Sequence, residues 1–369
     1  MQYQYISADN HVDSRWLPKN LWQDRIAAKY KADAPKIIET PKGSVWSWEG
    51  QPRGEAADGS AHERLANRFF PNQNLPKGAL PPSDPKYLLA HMDLASIYAG
   101  VYYADTRKWE IESPELKLEV YRVYNDFVME TNSHSPDRIL LLPNLPTALP
   151  EACPAELQRM IKAGAKAVEF GVFDVGQPIF DPIWHPVFTM AAEAGVTLCT
   201  HIGDRAGTPY PPLNYGASLA HYSIAPFSIA RQIPQFVFSG AFERNPTLKV
   251  SFAECRIGWL PFLISWMDRQ VHERPADPTA PLSMLPSEYI KRNVTFTFEE
   301  DYLGAKLLTY DWAYIKDSAI WGADYPHEQG VWPSATVALE KMLDGLSPEL
   351  KREILFDRSA RVFNIQGGR

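Results

Sequence analysis

Eight short runs along this chain are apolar with little polar alternation: about residues 3–8, 98–103, 138–143, 166–170, 196–200, 248–253, 293–298 and 318–323. They are rich in Val, Ile, Phe and Tyr. Missing alternation predicts strands covered on both faces, as in a parallel sheet. Between most of them the period changes. EVYRVYNDFVMETNSHS and PAELQRMIKAG place apolar residues near i, i+3, i+4 and i+7, which predicts amphipathic helices. IWHPVFTMAAEAG closes on Gly195, a helix stop just before the fifth run. Repeated strand–helix alternation predicts an α/β fold, and eight units predict a closed parallel barrel.

Two regions break the alternation. Residues 13–85 are long and rich in Trp, Pro and Gly, and residues 203–225 follow the fifth run. A connection that long in a compact domain is usually functional or flexible. Both follow strands, so both are expected over the catalytic face as lid or pocket material, with aromatic side chains suited to an apolar substrate.

Composition narrows the classes. The 369 residues are 45% hydrophobic, enough for the core of one barrel with insertions. A net charge of -7 argues against nucleic acid as the main partner. No apolar run approaches the roughly 20 residues of a membrane span. The start, MQYQYISADNH, has neither a basic segment nor a long apolar one, so no signal peptide is expected. Cys153, Cys199 and Cys255 form no CxxC pair, and a reduced, cytoplasmic setting is the simple reading. A GxGxxG loop and a G-x-S-x-G elbow are both absent.

The candidate chemistry sits where the apolar runs end. Asp9 and His11 follow YQYISA, Glu169 follows AKAV, His201 follows VTLCT, Glu254 follows LKVSFA and Asp324 follows AIWGA. Side chains far apart in sequence share one address, the C-terminal end of a buried strand, which is where barrel enzymes build their sites. Four carboxylates and two imidazoles suit a dinuclear site for a hard or borderline transition metal. If the first strand continues, Asp9 and His11 point to one face and a single ion can take both. Each residue has a blander alternative. Asp9 and His11 could be a turn Asp and a surface His, and His201 a hydrogen-bonded core residue. Glu169 could pair with Lys or Arg, and Glu254 with Arg256. His327, three residues after Asp324, could orient that aspartate or merely fix its loop. Arg205 and Arg256 could meet an anionic substrate group. Glu299 could face the site, although the EED run reads first as a solvated loop.

Six segments carry a family likeness. ISADNHVD is similar to an opening D-x-H motif, and PDRILLLPNLP with AGAKAVEF to third and fourth strands. VTLCTHIG carries the fifth-strand histidine, SGAFERNPTLKVSFAECRIGWLPFLISWMDR resembles the sixth-strand segment, and WGADYPHEQGVWPSA the eighth. On these the chain resembles the amidohydrolase superfamily, in the branch of aminocarboxymuconate-semialdehyde decarboxylase-like proteins, over nearly its whole length. The resemblance implies a (β/α)8 TIM barrel of amidohydrolase type. It would be a single domain over 1–369 with a long insertion after strand 1. It also implies metal ligation by His11, His201 and Asp324, with Asp324 serving as acid or base in hydrolases of the superfamily.

Departures from the family pattern shift the functional expectation. Asp9 stands where many members have histidine, Glu254 replaces a sixth-strand histidine, and Glu169 occupies the place of a bridging ligand. The set Asp9, His11, Glu169, His201, Glu254 and Asp324 is similar to that of a small group with this fold, the non-heme diiron monooxygenases of platensimycin and platencin biosynthesis. That likeness implies two Fe ions and hydroxylation of a bulky apolar, terpenoid-like and CoA-tethered substrate. It also requires a separate electron donor or reductase. The alternative is a Zn- or Mn-dependent hydrolase or non-oxidative decarboxylase using the same residues, with Asp324 and His327 in catalysis. A homodimer is what the resemblance implies for assembly.

Overall fold

The computed structural model describes residues 4–59, 61–104, 110–173, 175–203, 215–274 and 282–368. Its strands in chain order are β1 (Tyr5–Val12), β2 (Lys36–Thr40), β3 (Gly43–Trp48), β4 (Gln51–Glu55), β5 (Ile97–Ala104), β6 (Ile139–Leu141), β7 (Ala167–Glu169), β8 (Thr197–His201), β9 (Val250–Ala253), β10 (Val294–Phe298) and β11 (Ala319–Trp321). Each of the eight apolar runs is a strand. β1, β5 and β6 pair in parallel, and β7 through β11 form a second parallel run in chain order. Two bridges, Asn144 to Glu169 and Asn10 to Tyr325, join the runs at both seams and close the ring. The fold is the α/β TIM-type barrel that the alternation predicts.

The barrel interior is a cluster of its own. Ile6, Ala8, Ala99, Val101, Leu140, Leu142, Ala167, Cys199, Ala253 and Ile320 fill it. A larger cluster lies between strands and helices. The helix Pro114–Ser133 starts on Ser113, whose hydroxyl accepts from the Leu116 N–H, with Pro114 in the first turn. The helix His185–Ala194 ends on Gly195 in the left-handed region (φ 65°), the stop its sequence predicts. Burial of such apolar faces contributes about 25 cal/mol per Å² of area removed from water.

The region 13–85 holds structure that its composition hides. β2, β3 and β4 form an antiparallel sheet, and Glu49 and Gly50 turn between β3 and β4 with positive φ of 48° and 73°. Two consecutive positive φ values are what a tight hairpin needs to match strand twist. The Trp22 and Trp46 indoles pack edge to face at 5.3 Å. Trp46 donates to the Ser14 carbonyl and Trp22 to the Val120 carbonyl of the helix Pro114–Ser133. Trp16, Trp22 and Trp46 are all fully buried. These three rings are packing groups that join the segment to the larger cluster between strands and helices. Its ends reach the loop after β11 through Asp13 to His327 and Arg68 to Glu328.

Candidate metal centre

β1 runs to Val12, further than the apolar run suggests, because Asn10, His11 and Val12 pair with Tyr102, Tyr103 and Ala104. Asp9 and His11 therefore lie inside the strand, and both are buried. His201 closes β8, and Glu254 and Asp324 lie just past β9 and β11. Glu254 and Asp324 adopt left-handed φ of 55° and 54°, unusual for non-glycine residues and concentrated at functional sites.

Four of these side chains converge. His11 Nε2 lies 3.7 Å from Asp9 Oδ1 and 3.1 Å from Asp324 Oδ1, and His201 Nε2 lies 3.6 Å from the same Asp9 oxygen. Asp9 Oδ1, His11 Nε2, His201 Nε2 and Asp324 Oδ1 are all buried without a well-aligned hydrogen bond, and their near neighbours are one another and His327, whose Nδ1 lies 2.8 Å from Asp324 Oδ1. Buried polar atoms are ordinarily paired, because an unpaired one costs several kcal/mol. Two overlapping triples, Asp9–His11–His201 and His11–Asp324–His327, keep their donor atoms within 4.8 Å of one another. That spread fits atoms surrounding one ion at about 2.0–2.2 Å each. Two imidazoles and two carboxylates suit zinc or manganese, and the carboxylates balance a double positive charge.

Neighbouring groups prepare these atoms. His201 Nδ1 is 2.8 Å from the Ile202 carbonyl, which fixes its tautomer and leaves Nε2 facing inward. Burial opposes charge on His201, but the Asp9 and Glu254 carboxylates outweigh it and raise the imidazole to about 9. A metal ion would take the place of that proton. Burial, with the charge of His327, holds His11 below its ordinary value. Asp324 is held well below the usual carboxylate range: burial opposes this, and the charges of His327 and His11 overcome it. His327 stacks on the His11 ring at 3.9 Å, hydrogen-bonds Asp13 through Nε2 and sets Nδ1 2.8 Å from Asp324 Oδ1. With a carboxylate at each nitrogen, it is raised well above 6.5 despite burial.

The family profile for amidohydrolases matches residues 84–365. The chain belongs to the amidohydrolase family. Over 218 residues this amidohydrolase is 27% identical to the 2-amino-3-carboxymuconate-6-semialdehyde decarboxylase of Dictyostelium discoideum, a match spanning 59% of each chain. An amidohydrolase structure from Mycobacterium avium subsp. paratuberculosis K-10 superposes over the full length of both chains with a TM-score of 0.76 at 19% identity. A dihydroxybenzoic acid decarboxylase from Polaromonas sp. JS666, solved with bound manganese and 2-nitroresorcinol, aligns with a TM-score of 0.64 at 16% identity over 98% and 97% of the two chains. These structural likenesses show the fold. Together with the candidate ligand cluster, the family marks a metal-dependent enzyme. The named relatives include decarboxylases and no oxidoreductase, so two irons, monooxygenation and a natural-product role gain no support from them.

Of the remaining predicted residues of this amidohydrolase, one adjoins the cluster. Glu254 is close, with Oε2 3.3 Å from His201 Nε2, and burial with the charge of Asp324 raises its carboxyl to about 7. Glu169 stands apart from both triples, and its Oε2 accepts the Ala104 N–H at 3.3 Å. Glu299 is fully buried and ion-paired with Arg256, so it is not the solvated loop residue its run suggests. Arg256 is thereby paired with Glu299 rather than with its neighbour Glu254. Arg205 lies outside the described residues. Two site neighbours carried no sequence signal: Asp13, and Tyr103, which packs 5.1 Å from the His201 ring. Tyr103 is opposite His11 in the β1–β5 register, so strand pairing is the observation that finds it.

Proposed function

We propose that this amidohydrolase is a mononuclear, zinc- or manganese-dependent non-oxidative decarboxylase acting on a small unsaturated or phenolic carboxylic acid. The observation that carries the reading is a buried cluster in which Asp9, His11 and His201 form one potential ligand triple and His11 and Asp324 belong to a second that overlaps it. The names of its relatives, among them a carboxymuconate-semialdehyde decarboxylase and a dihydroxybenzoic acid decarboxylase, supply the reaction class.

In this reading Asp9, His11, His201 and Asp324 hold the ion. When bound, it supplies Lewis-acid neutralisation of the anionic oxygens of the substrate. The bond between the substrate carbon and its carboxyl group breaks, CO2 leaves, and the electron pair stays on carbon. A proton must then reach that carbon. His327 holds one at Nδ1, next to Asp324, and Asp13 stabilises the imidazolium from behind. Its ring is 29% exposed, open enough to meet substrate on the C-terminal face. Glu254 lies beside His201.

Protein loaded with manganese or zinc and offered 2,6-dihydroxybenzoate, 5-carboxyvanillate and aminocarboxymuconate semialdehyde in D2O tests this. CO2 release without oxygen, with one deuterium at the vacated carbon, is the expected result. Oxygen uptake with a hydroxylated product, or hydrolysis of an amide or ester panel without CO2 release, overturns it.

A further inference from the structure

Thr297 lies on β10, a strand that contributes no member of the predicted ligand set. Its hydroxyl nevertheless joins three strands of the site. It is 3.0 Å from Asp9 Oδ2 on β1, and it accepts the Glu254 backbone N–H after β9 at 2.7 Å. Glu299 Oε1, two residues on, lies 3.3 Å away. Its own carbonyl accepts from the Cys255 thiol at 3.4 Å, so the backbone here is tied to the β9 end as well. The side chain is fully buried. A β-branched residue on a strand has restricted rotamers, which suits a fixed hydroxyl.

A hydroxyl has one proton to give. Two carboxylates compete for it, but Glu299 already has the Arg256 guanidinium. Asp9 has no cation of its own apart from the two imidazoles it faces across the cluster. The Thr297 proton therefore goes to Asp9 Oδ2, and the Thr297 lone pair takes the Glu254 N–H. One oxygen of Asp9 is thereby occupied and the other is left bare toward His11 and His201.

We infer that Thr297 is a positioning residue for the metal. It forces Asp9 to bind through one oxygen and locks the left-handed turn at Glu254 to that choice. Loss of the hydroxyl frees Asp9 to rotate or to bind through both oxygens, and strips the Glu254 N–H of its acceptor. The effect is on affinity and ligand geometry. The inference rests on the metal centre proposed above.

The test uses metal alone. Thr297→Val keeps shape and removes the hydroxyl, Thr297→Ser keeps the hydroxyl, and Thr297→Ala serves if the valine variant does not fold. Dissociation constants for zinc and manganese come from competition with a chromophoric chelator. Cobalt(II)-loaded protein gives a visible spectrum that reads ligand geometry. Affinity is expected to fall about 10–100-fold in Thr297→Val, the range for an outer partner of a ligand, and to return in Thr297→Ser. The cobalt bands shift in the valine variant and not in the serine one, while the metal-free valine variant stays folded and melts somewhat lower, having lost the acceptor of a buried N–H. Wild-type affinity in Thr297→Val, or equal weakness in valine and serine variants, overturns the inference and leaves the metal centre standing. Failure of the wild type to bind any of the three ions overturns both.

Discussion

Two corners of the same barrel rim differ in a way that sequence does not show. At one, Asp9, His11, His201 and Asp324 crowd together, their donor atoms facing one another and His327. At the other, Glu169 ends β7 at the same level, buried to a similar degree, and its carboxylate takes a backbone N–H from Ala104. Both corners satisfy the rule that functional groups sit at the C-terminal ends of barrel strands. The first gathers several potential ligand atoms within reach of one another. A strand-end address nominates a residue, and clustering with other donor atoms marks it as part of the centre.

The sharpest way to break this contrast is to remove a converging atom. His11→Ala is expected to take bound metal from about one ion per chain to nearly none, because the remaining donors cannot close a site around it. Elemental analysis of the purified variant reads this directly. Next in size, His327→Gln should lower kcat about 10²–10⁴-fold, the usual worth of a positioned acid, with metal content retained. A parallel loss of metal would move His327 from proton transfer into the ligand set.

The pH dependence of stability sharpens the same corner. The His201 imidazole is raised to about 9 in metal-free protein, after the Asp9 and Glu254 carboxylates outweigh burial. A raised base contributes stability that is full below its unfolded value near 6.5 and is lost as pH rises toward 9. Metal-free protein should therefore melt progressively lower from pH 7 to 9. Metal-loaded protein should not, since the ion occupies the proton's place, and affinity should climb with pH over that window. Scanning calorimetry on both forms checks the sign.

The smallest effect belongs to the other corner. Glu169→Gln should leave metal stoichiometry unchanged and shift kcat by less than about tenfold, since the amide keeps an acceptor for the Ala104 N–H. Loss of a second ion in that variant would restore Glu169 as a bridge. Smaller still, Arg68→Ala at the exposed pair with Glu328 should cost no more than about 1 kcal/mol of stability.

These contrasts also show what the chain reveals unaided. The eight barrel strands are legible because burial on both faces writes continuous apolar runs, and the rim residues follow from where those runs stop. The convergence is not legible. Glu254 and Asp324 turn inward through left-handed backbone without a glycine to signal it, and Thr297 acts from a strand with no ligand. The β2–β4 sheet hides behind a Trp- and Gly-rich composition, although Glu49–Gly50 between alternating residues is a tight-turn signal. Counting carboxylates suggests two metals, and composition alone does not say how many of those carboxylates face one ion. Among the described residues no helix is long and apolar enough to cross a membrane.

The central claim is one divalent ion held by Asp9, His11, His201 and Asp324. Elemental analysis of protein purified anaerobically with no added metal, paired with Mössbauer spectroscopy of iron-57-enriched material, tests it most directly. The account predicts about one zinc or manganese per chain and no coupled iron signal. Two irons per chain with an exchange-coupled spectrum would contradict it, and would return Glu169 and Glu254 to the ligand set.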